Sequence, residues 1–291
     1  MGTECNPEGV SIIVPVYNEE GGIGSLIERL LSEMGRTGTP FELLVVDDGS
    51  TDRTRERIDA YAEKVRVLRH EENRGYGAAL KTGIHAARFP ITLIIDADGT
   101  YPTEEIPRLL GELREGTEMV VGARTGPDVR IPLLRRPAKW LLRRLAEYLS
   151  ERKIPDLNSG LRAFRRETAL RYIHILPNRF SFTTTITLAF LSDGLGVRFV
   201  PINYHNRVGR SKIRSADALS FLTLIIRTIT YFNPLRIFLP ASLFMVFLAL
   251  ARVSYDIFVL SNLADTSVIL FVGAFLTAAI GILADLIVRR R

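Results

Sequence analysis

Short apolar runs alternate with longer amphipathic stretches through residues 10–125. Ser11–Val16, Phe41–Asp47, Val65–Arg69, Ile91–Asp96 and Glu118–Ala123 read as strands. Gly21–Gly35, the polar stretch Asp52–Lys64, Ala78–Arg88 and Thr103–Glu115 read as helices. Thr103 is expected to cap the last of these, with Glu104 and Glu105 in its first turn. Strands alternating with helices predict an α/β fold with a mainly parallel sheet. Shorter pieces follow: LRAFRR at 161–166, a helix at 183–192 and VRFVPIN at 197–203, with no internal repeat.

After about residue 215 the pattern changes to long apolar segments. Ile237–Leu260 and Ser267–Val288 are each long enough to cross a bilayer as a helix, which takes about 20 residues. The linker SNLADT between them makes a tight antiparallel hairpin. Buried core helices are the alternative, but the second stretch carries only Asp285. In the first, Arg252 and Asp256 stand one helical turn apart and are expected to pair or to snorkel outward. Arg236 precedes the hairpin, Arg289, Arg290 and Arg291 follow it, and the linker has no Lys or Arg. The excess of positive charge places both termini and the large N-terminal region in the cytoplasm. The start, MGTECNPEGV, lacks the basic-then-apolar pattern of a signal peptide.

Two more segments suit a membrane surface. In Arg135–Arg152 apolar residues recur at helical spacing opposite Arg135, Arg136, Lys139, Arg143 and Arg144, a basic amphipathic helix. Nucleic acid is the rival partner for such a stripe, and a solvated face the plain alternative. Paired spans favour the lipid bilayer over nucleic acid. Asp217–Phe232 reads as an interfacial segment leading into the first span. The expected organisation is therefore a catalytic domain at 1–214, an interfacial helix at 215–234 and two membrane helices within 235–291.

Composition adds limits. The 291 residues are 47% hydrophobic and 24% charged, which excludes a disordered chain. Net charge is +6. The lone Cys5 excludes an internal disulfide framework and a cysteine zinc cluster. His70, His85, His174 and His205 are scattered, without metal-cluster spacing.

The polar signals gather at strand ends. Asp47 and Asp48 follow the second strand, and Asp96 and Asp98 follow the fourth. Ligands of an open parallel sheet bind beyond the carboxyl ends of its strands. An acidic residue there can be a mere helix cap, a part that Ser50 or Asp52 could play. Two carboxylates one residue apart after a wholly apolar strand are instead suited to gripping Mg2+ or Mn2+, which also take phosphate oxygens. No GxxxxGK[ST] loop is present. Asn73-Arg74-Gly75-Tyr76-Gly77, leading into a helix with Lys81, is a glycine turn suited to approaching an anion.

In their order and spacing SIIVPVYNEE, LLVVDDGSTDRT, NRGYGAALKTGI and IIDADGTYP resemble the family-two glycosyltransferases of GT-A fold. VVGAR, DLNSGLRAF and RVGRSK extend the resemblance to the dolichol-phosphate mannose synthase branch and the polyprenyl-phosphate glycosyltransferases, over most of residues 10–215. The resemblance implies that Pro15, Tyr17 and Glu19 line a nucleotide pocket and that Asp48 reads base or ribose. Val46, Lys81, Ala97 and Arg162 join the residues it implies for substrate binding. Asp96 and Asp98 would hold the diphosphate through a divalent metal. Arg124 and Ser159 would lie near the acceptor phosphate, and Arg207 and Lys212 on a loop that closes over the anions. Asp156 would act as a base or as an electrostatic organiser of the acceptor site. Two departures stand out. Thr100 occupies the position where many relatives carry the Gln of DADLQ, and Arg207 and Lys212 are five apart where relatives often have six.

The implied reaction moves a hexose, GDP-mannose being the expected donor, onto a dolichyl or undecaprenyl phosphate with inversion. UDP-glucose and UDP-N-acetylglucosamine are alternative donors. A processive polysaccharide synthase shares the early motifs, but it usually has more spans and often a QxxRW motif, which this sequence lacks. A membrane-anchored nucleotide-sugar sensor is the non-enzymatic alternative. Homo-oligomer formation is left open.

Overall fold

In the computed structural model, residues 9–125, 144, 147–148, 152–179, 181–204, 230, 233–260 and 264–289 are described. The chain divides into two units, Met1–Phe221 and Leu222–Arg291. Arg207 and Lys212, the segment 217–229 and most of the expected amphipathic helix at 135–152 lie outside the described residues.

The first unit is built on a seven-stranded sheet. Its strands are β1 (Val10–Val16), β2 (Phe41–Asp47), β3 (Arg66–Arg69), β4 (Ile91–Ile94), β5 (Met119–Ala123), β6 (Arg162–Arg165) and β7 (Val197–Pro201). Their order across the sheet is β3-β2-β1-β4-β6-β5-β7. Every ladder is parallel except those of β6, which runs against both β4 and β5. The mainly parallel expectation holds, and 161–166 turns out to carry the one reversed strand.

Helices cover both faces, which is why β1 and β4 are mostly apolar. On one face Ile12, Val14 and Val16 pack with Ile23, Leu26, Ile27, Leu30 and Met34 of α1 (Ile23–Thr37). These α1 positions recur at helical spacing, and the helix stops at Gly38, whose φ of 67° is the left-handed conformation that ends helices. On the other face lies α3 (Tyr76–Ala86), reached through the short α2 (Thr54–Asp59) and β3. Gly83 of α3 sits so close to the sheet that an added Cβ would stand 2.5 Å from Ile13.

Some boundaries differ from expectation. Strand β4 ends at Ile94, so Asp96 and Asp98 lie on the turn beyond the sheet. Thr103 does not cap a helix: it is the first residue of a 3-10 turn, and α4 (Ile106–Gly111) begins later with Pro107 in its first turn. Pro tolerates that place because the N–H it lacks would have no helical partner there. Among the described residues the unit also contains α5 (Arg166–Tyr172), α6 (Phe182–Ser192) and β7.

The second unit pairs α7 (Leu235–Tyr255), continued by a π turn at Asp256–Leu260, with α8 (Asp265–Arg289). Small residues bring the helices together. The Ser242 hydroxyl donates to the Ala274 carbonyl at 2.8 Å, Gly281 faces Phe238 and Gly273 faces Met245. Only 11% and 17% of the two apolar windows are buried, which the buried-core alternative cannot accommodate. Phe244, Phe247, Phe258, Phe275 and Ile287 all point outward. Arg252 and Asp256 pair, Nε to Oδ1 at 3.0 Å, and Asp256 also accepts from Ser267 Oγ at 2.6 Å.

Candidate active site

The chain leaves β1 for β2 and β3 on one side and returns to β4 on the other. That reversal opens a crevice at the carboxyl ends of β1 and β4. Loops after β1, β2, β3 and β4, and the segment before β6, supply its residues.

The first two loops are laced together. Asn18, held at a φ of 53°, accepts from the Thr51 N–H through Oδ1 at 2.8 Å, and its own N–H donates to Ser50 Oγ at 3.1 Å. Asn is one of the few residues that tolerate this conformation. The Glu19 N–H donates to Thr54 Oγ1 at 2.8 Å, and Glu20 accepts from the Arg53 N–H at 3.0 Å. Pro15 lies beside Val46 in the β1–β2 register, and Val46 is fully buried. Tyr17 is partly buried on the loop just after β1.

Asp48 faces inward rather than toward an open pocket. It is 3% exposed, and it accepts from the His70 ring at 2.6 Å, from the Arg74 N–H at 3.0 Å and from the Gly75 N–H at 2.8 Å. These bonds hold the glycine turn in place. Gly75 has a φ of 103°, and a Cβ on Gly77 would stand 2.1 Å from the Pro177 carbonyl, so neither position admits a side chain. One turn later, Lys81 Nζ donates to Asn178 Oδ1 at 2.8 Å, and partial burial lowers its pKa.

The turn delivers Tyr76 to the acidic pair: its hydroxyl donates to Asp96 Oδ1 at 2.7 Å. Burial first, and then the charge of Asp98, raise the Asp96 carboxyl to about 6, against the pull of Tyr76, Arg124 and Arg162. Ala97 between the two acids is buried. Asp98 accepts from the Thr100 hydroxyl at 2.6 Å and from the Thr100 N–H at 3.2 Å. Thr100 therefore orients Asp98 from the place where relatives carry Gln.

A divalent cation suits this pair. The charge of Asp98 adds to the cost of ionising Asp96, a cost that a cation removes. Among the described residues no three His, Cys, Asp or Glu cluster together. A two-carboxylate set leaves positions for water and phosphate oxygens, the coordination that Mg2+ and Mn2+ favour.

The segment before β6 closes the other side. Gly160 lies against Asp96, and its N–H donates to the Tyr101 hydroxyl at 2.6 Å. The Ser159 hydroxyl turns inward to the Gly122 carbonyl. Arg162 is fully buried, with Nη1 donating to the Thr183 carbonyl at 2.9 Å and to Thr187 Oγ1 at 2.8 Å, and Nε to the Ser159 carbonyl at 3.1 Å. It thus braces this segment from behind. Arg124 meets Asp156 two-pronged, Nε to Oδ2 at 2.7 Å and Nη2 to Oδ1 at 2.9 Å. Its guanidinium lies 5.3 Å over the Tyr204 ring, which meets Tyr101 edge-on. Burial works to raise the Asp156 carboxyl, but the Arg124 bonds and charge outweigh it and hold it below its ordinary value.

Tyr76, His70, Asn18, Gly160, Tyr101 and Tyr204 were not picked out as functional from the sequence. Tyr76, Asn18, Gly160 and Tyr101 lie within recognised motifs; His70 and Tyr204 touch the site only through contacts distant in the chain.

Comparison with known proteins agrees with this geometry. Residues 11–172 match the glycosyl transferase family 2 model, and residues 233–289 match the GtrB C-terminal hairpin. The dolichyl-phosphate hexose transferase of Haloferax volcanii is 32% identical over 214 residues, 72% of this chain and 89% of the relative. The undecaprenyl-phosphate 4-deoxy-4-formamido-L-arabinose transferase of Pectobacterium carotovorum is 32% identical over 61% of this chain, which spans 58% of that relative's length. Among solved structures, glucosyl-3-phosphoglycerate synthase of Mycobacterium tuberculosis, in complex with Mn2+, UDP and glucosyl-3-phosphoglycerate, matches with a TM-score of 0.55 and 26% identity, covering 77% of this chain and 78% of that one. The sheet is thus that of the GT-A fold, and the chain belongs to glycosyl transferase family 2 and is a glycosyltransferase.

Proposed function

We propose that the protein transfers a hexose from a nucleotide sugar to a polyprenyl phosphate at the cytoplasmic face of a membrane. The observation that carries this reading is the Asp96–Asp98 pair beyond β4, flanked by the Arg124–Asp156 clasp. The named relatives act on dolichyl and undecaprenyl phosphates, and the paired apolar helices suit an enzyme whose acceptor is a lipid.

A phosphate oxygen of the acceptor attacks the anomeric carbon of the donor. The bond to the nucleoside diphosphate breaks, its electrons leave with the diphosphate, and the configuration inverts. When bound at Asp96 and Asp98, Mg2+ or Mn2+ supplies positive charge for the departing diphosphate. Tyr76 and Thr100 keep those two carboxylates oriented. The acceptor needs little help from a base, because a phosphate monoester with a second pKa of about 6 is already mostly dianionic at neutral pH. Asp156, held low by Arg124, fits the role of organiser better than that of base. Arg124, with Arg207 and Lys212 outside the described residues, would offset the repulsion between donor and acceptor phosphates. Pro15, Tyr17 and Glu19 would border the nucleotide. The positive charge of Arg236 and Arg289–Arg291 supports a cytoplasmic side for both helix ends.

GDP-mannose is the donor that the resemblance to the mannose synthases favours. A UDP-hexose is the second reading, favoured by the UDP in the solved relative. The test offers GDP-mannose, UDP-glucose and UDP-N-acetylglucosamine with a polyprenyl phosphate and Mn2+ or Mg2+. Lipid-linked sugar from one donor is expected; hydrolysis without lipid product would refute the acceptor assignment.

A further inference from the structure

We propose that His70 is a positioning residue for Asp96, acting through Asp48 and the Arg74–Gly75 turn that seats Tyr76. The inference rests on the reading of Asp96 and Asp98 as a cation site. His70 is 6% exposed, at the end of β3, and no step of sugar transfer uses it. Its Nδ1 lies 2.6 Å from Asp48 Oδ1, and its Nε2 lies 2.9 Å from Thr82 Oγ1. A carboxylate that already takes two backbone N–H groups is an acceptor, so Nδ1 carries the proton in this bond. Nε2 and the Thr82 hydroxyl hold the other edge of the ring.

The chain of contacts is continuous and each link is short. The imidazole fixes Asp48. Asp48 fixes the N–H groups of Arg74 and Gly75. Tyr76, the next residue, opens α3 and gives its hydroxyl to Asp96 Oδ1 at 2.7 Å. Gly75 has little conformational preference of its own, since glycine adopts positive φ readily and others as easily. Something outside the turn must therefore select its conformation, and Asp48 backed by His70 does so. Removing the imidazole takes away one of the two donors on a buried oxygen, and such a group moves to find another partner. The displacement passes to Tyr76, and Asp96 loses its orienting hydrogen bond. Partners of this kind around a ligating group change metal affinity by about 10–100-fold.

The test measures Mn2+ binding to the full-length protein in detergent, by the electron paramagnetic resonance signal of free Mn2+, together with thermal unfolding in the absence of metal. Tyr76→Phe is expected to weaken Mn2+ binding about tenfold, and His70→Ala by a similar factor. Because both act on one bond, the His70→Ala/Tyr76→Phe double variant should bind about as well as either single variant. Independent losses that multiply in the double variant overturn the proposal. So does a His70→Ala protein that is less heat-stable yet binds Mn2+ normally. Should His70→Ala fold poorly, His70→Asn and His70→Gln carry the test. Asn presents an N–H where Nδ1 stands and retains the Asp48 bond, whereas Gln presents one where Nε2 stands and loses it. Wild-type affinity in the Asn variant and about tenfold weaker binding in the Gln variant support the proposal; equal affinities overturn it. Failure of the wild-type protein to take up Mn2+ overturns the cation reading and this inference together, whereas normal uptake with no effect at His70 overturns this inference alone.

Discussion

Gly160 passes so close to Asp96 that an added Cβ would stand 2.0 Å from its Oδ2. The backbone before β6 therefore forms a wall of the acidic site, and only glycine leaves Asp96 its place. Gly160→Ala is expected to push Asp96 away from Tyr76 and to lower transfer by at least the tenfold scale typical of lost support around a metal ligand. Steady-state rates on nucleotide sugar, with circular dichroism to check folding, would decide it. Wild-type rates in the alanine variant would mean that the wall yields.

Asp98 lies on a turn beyond β4, outside the apolar core, so its removal should spare the fold. Asp98→Ala is expected to abolish sugar transfer while thermal unfolding stays near that of the wild type. Near-normal turnover would discredit the cation assignment.

Proton and cation compete for Asp96. Its folded-state pKa of about 6 lies above the ordinary aspartate value. The folded metal-free protein thus holds a proton that the unfolded chain, with a pKa of about 3.9, has released. The stability this adds is present at acid pH and is lost as pH rises through about 6. Cation binding runs the other way: from pH 7 to pH 5 the ionised fraction of such a group falls about tenfold, and apparent Mn2+ affinity should fall with it. Calorimetric titration at the two pH values checks this. Asp96→Asn should bind weakly at both, with the pH dependence gone.

Asp156 supports Arg124 through two short bonds in a largely buried setting. Asp156→Ala leaves a partly buried guanidinium without its carboxylate partner, a change that costs about 3–5 kcal/mol where the pair is fully buried and less where, as here, it is part-exposed. Chemical denaturation should show a loss below that range. The KM for polyprenyl phosphate should rise while nucleotide binding changes little. An unchanged acceptor KM would separate Asp156 from the acceptor side.

Much of this architecture is legible in the chain because its physics is local. Phe41–Asp47 matches β2 residue for residue, since its run Leu43–Val46 is the apolar, buried part that a strand covered on both faces requires. The acidic turn after β4 reads the same way. Direction is harder to read. Nothing in LRAFRR says that β6 runs against its neighbours, because the reversal is decided by pairing with β4 and β5. Asp48 depends on distant residues in the same way: nothing in its place after a strand announces the bonds from His70, Arg74 and Gly75. Thr103 has the chemistry of a cap, yet the chain there forms a 3-10 turn first.

The reversed course of β6 has a practical corollary. Because β5 and β6 are antiparallel neighbours, the chain leaves β5 and enters β6 at one rim of the sheet, where Arg124 and Asp156 are joined. The Arg124–Asp156 clasp thereby ties the end of one strand to the approach of the next, so a change at either residue is felt by both strands at that rim.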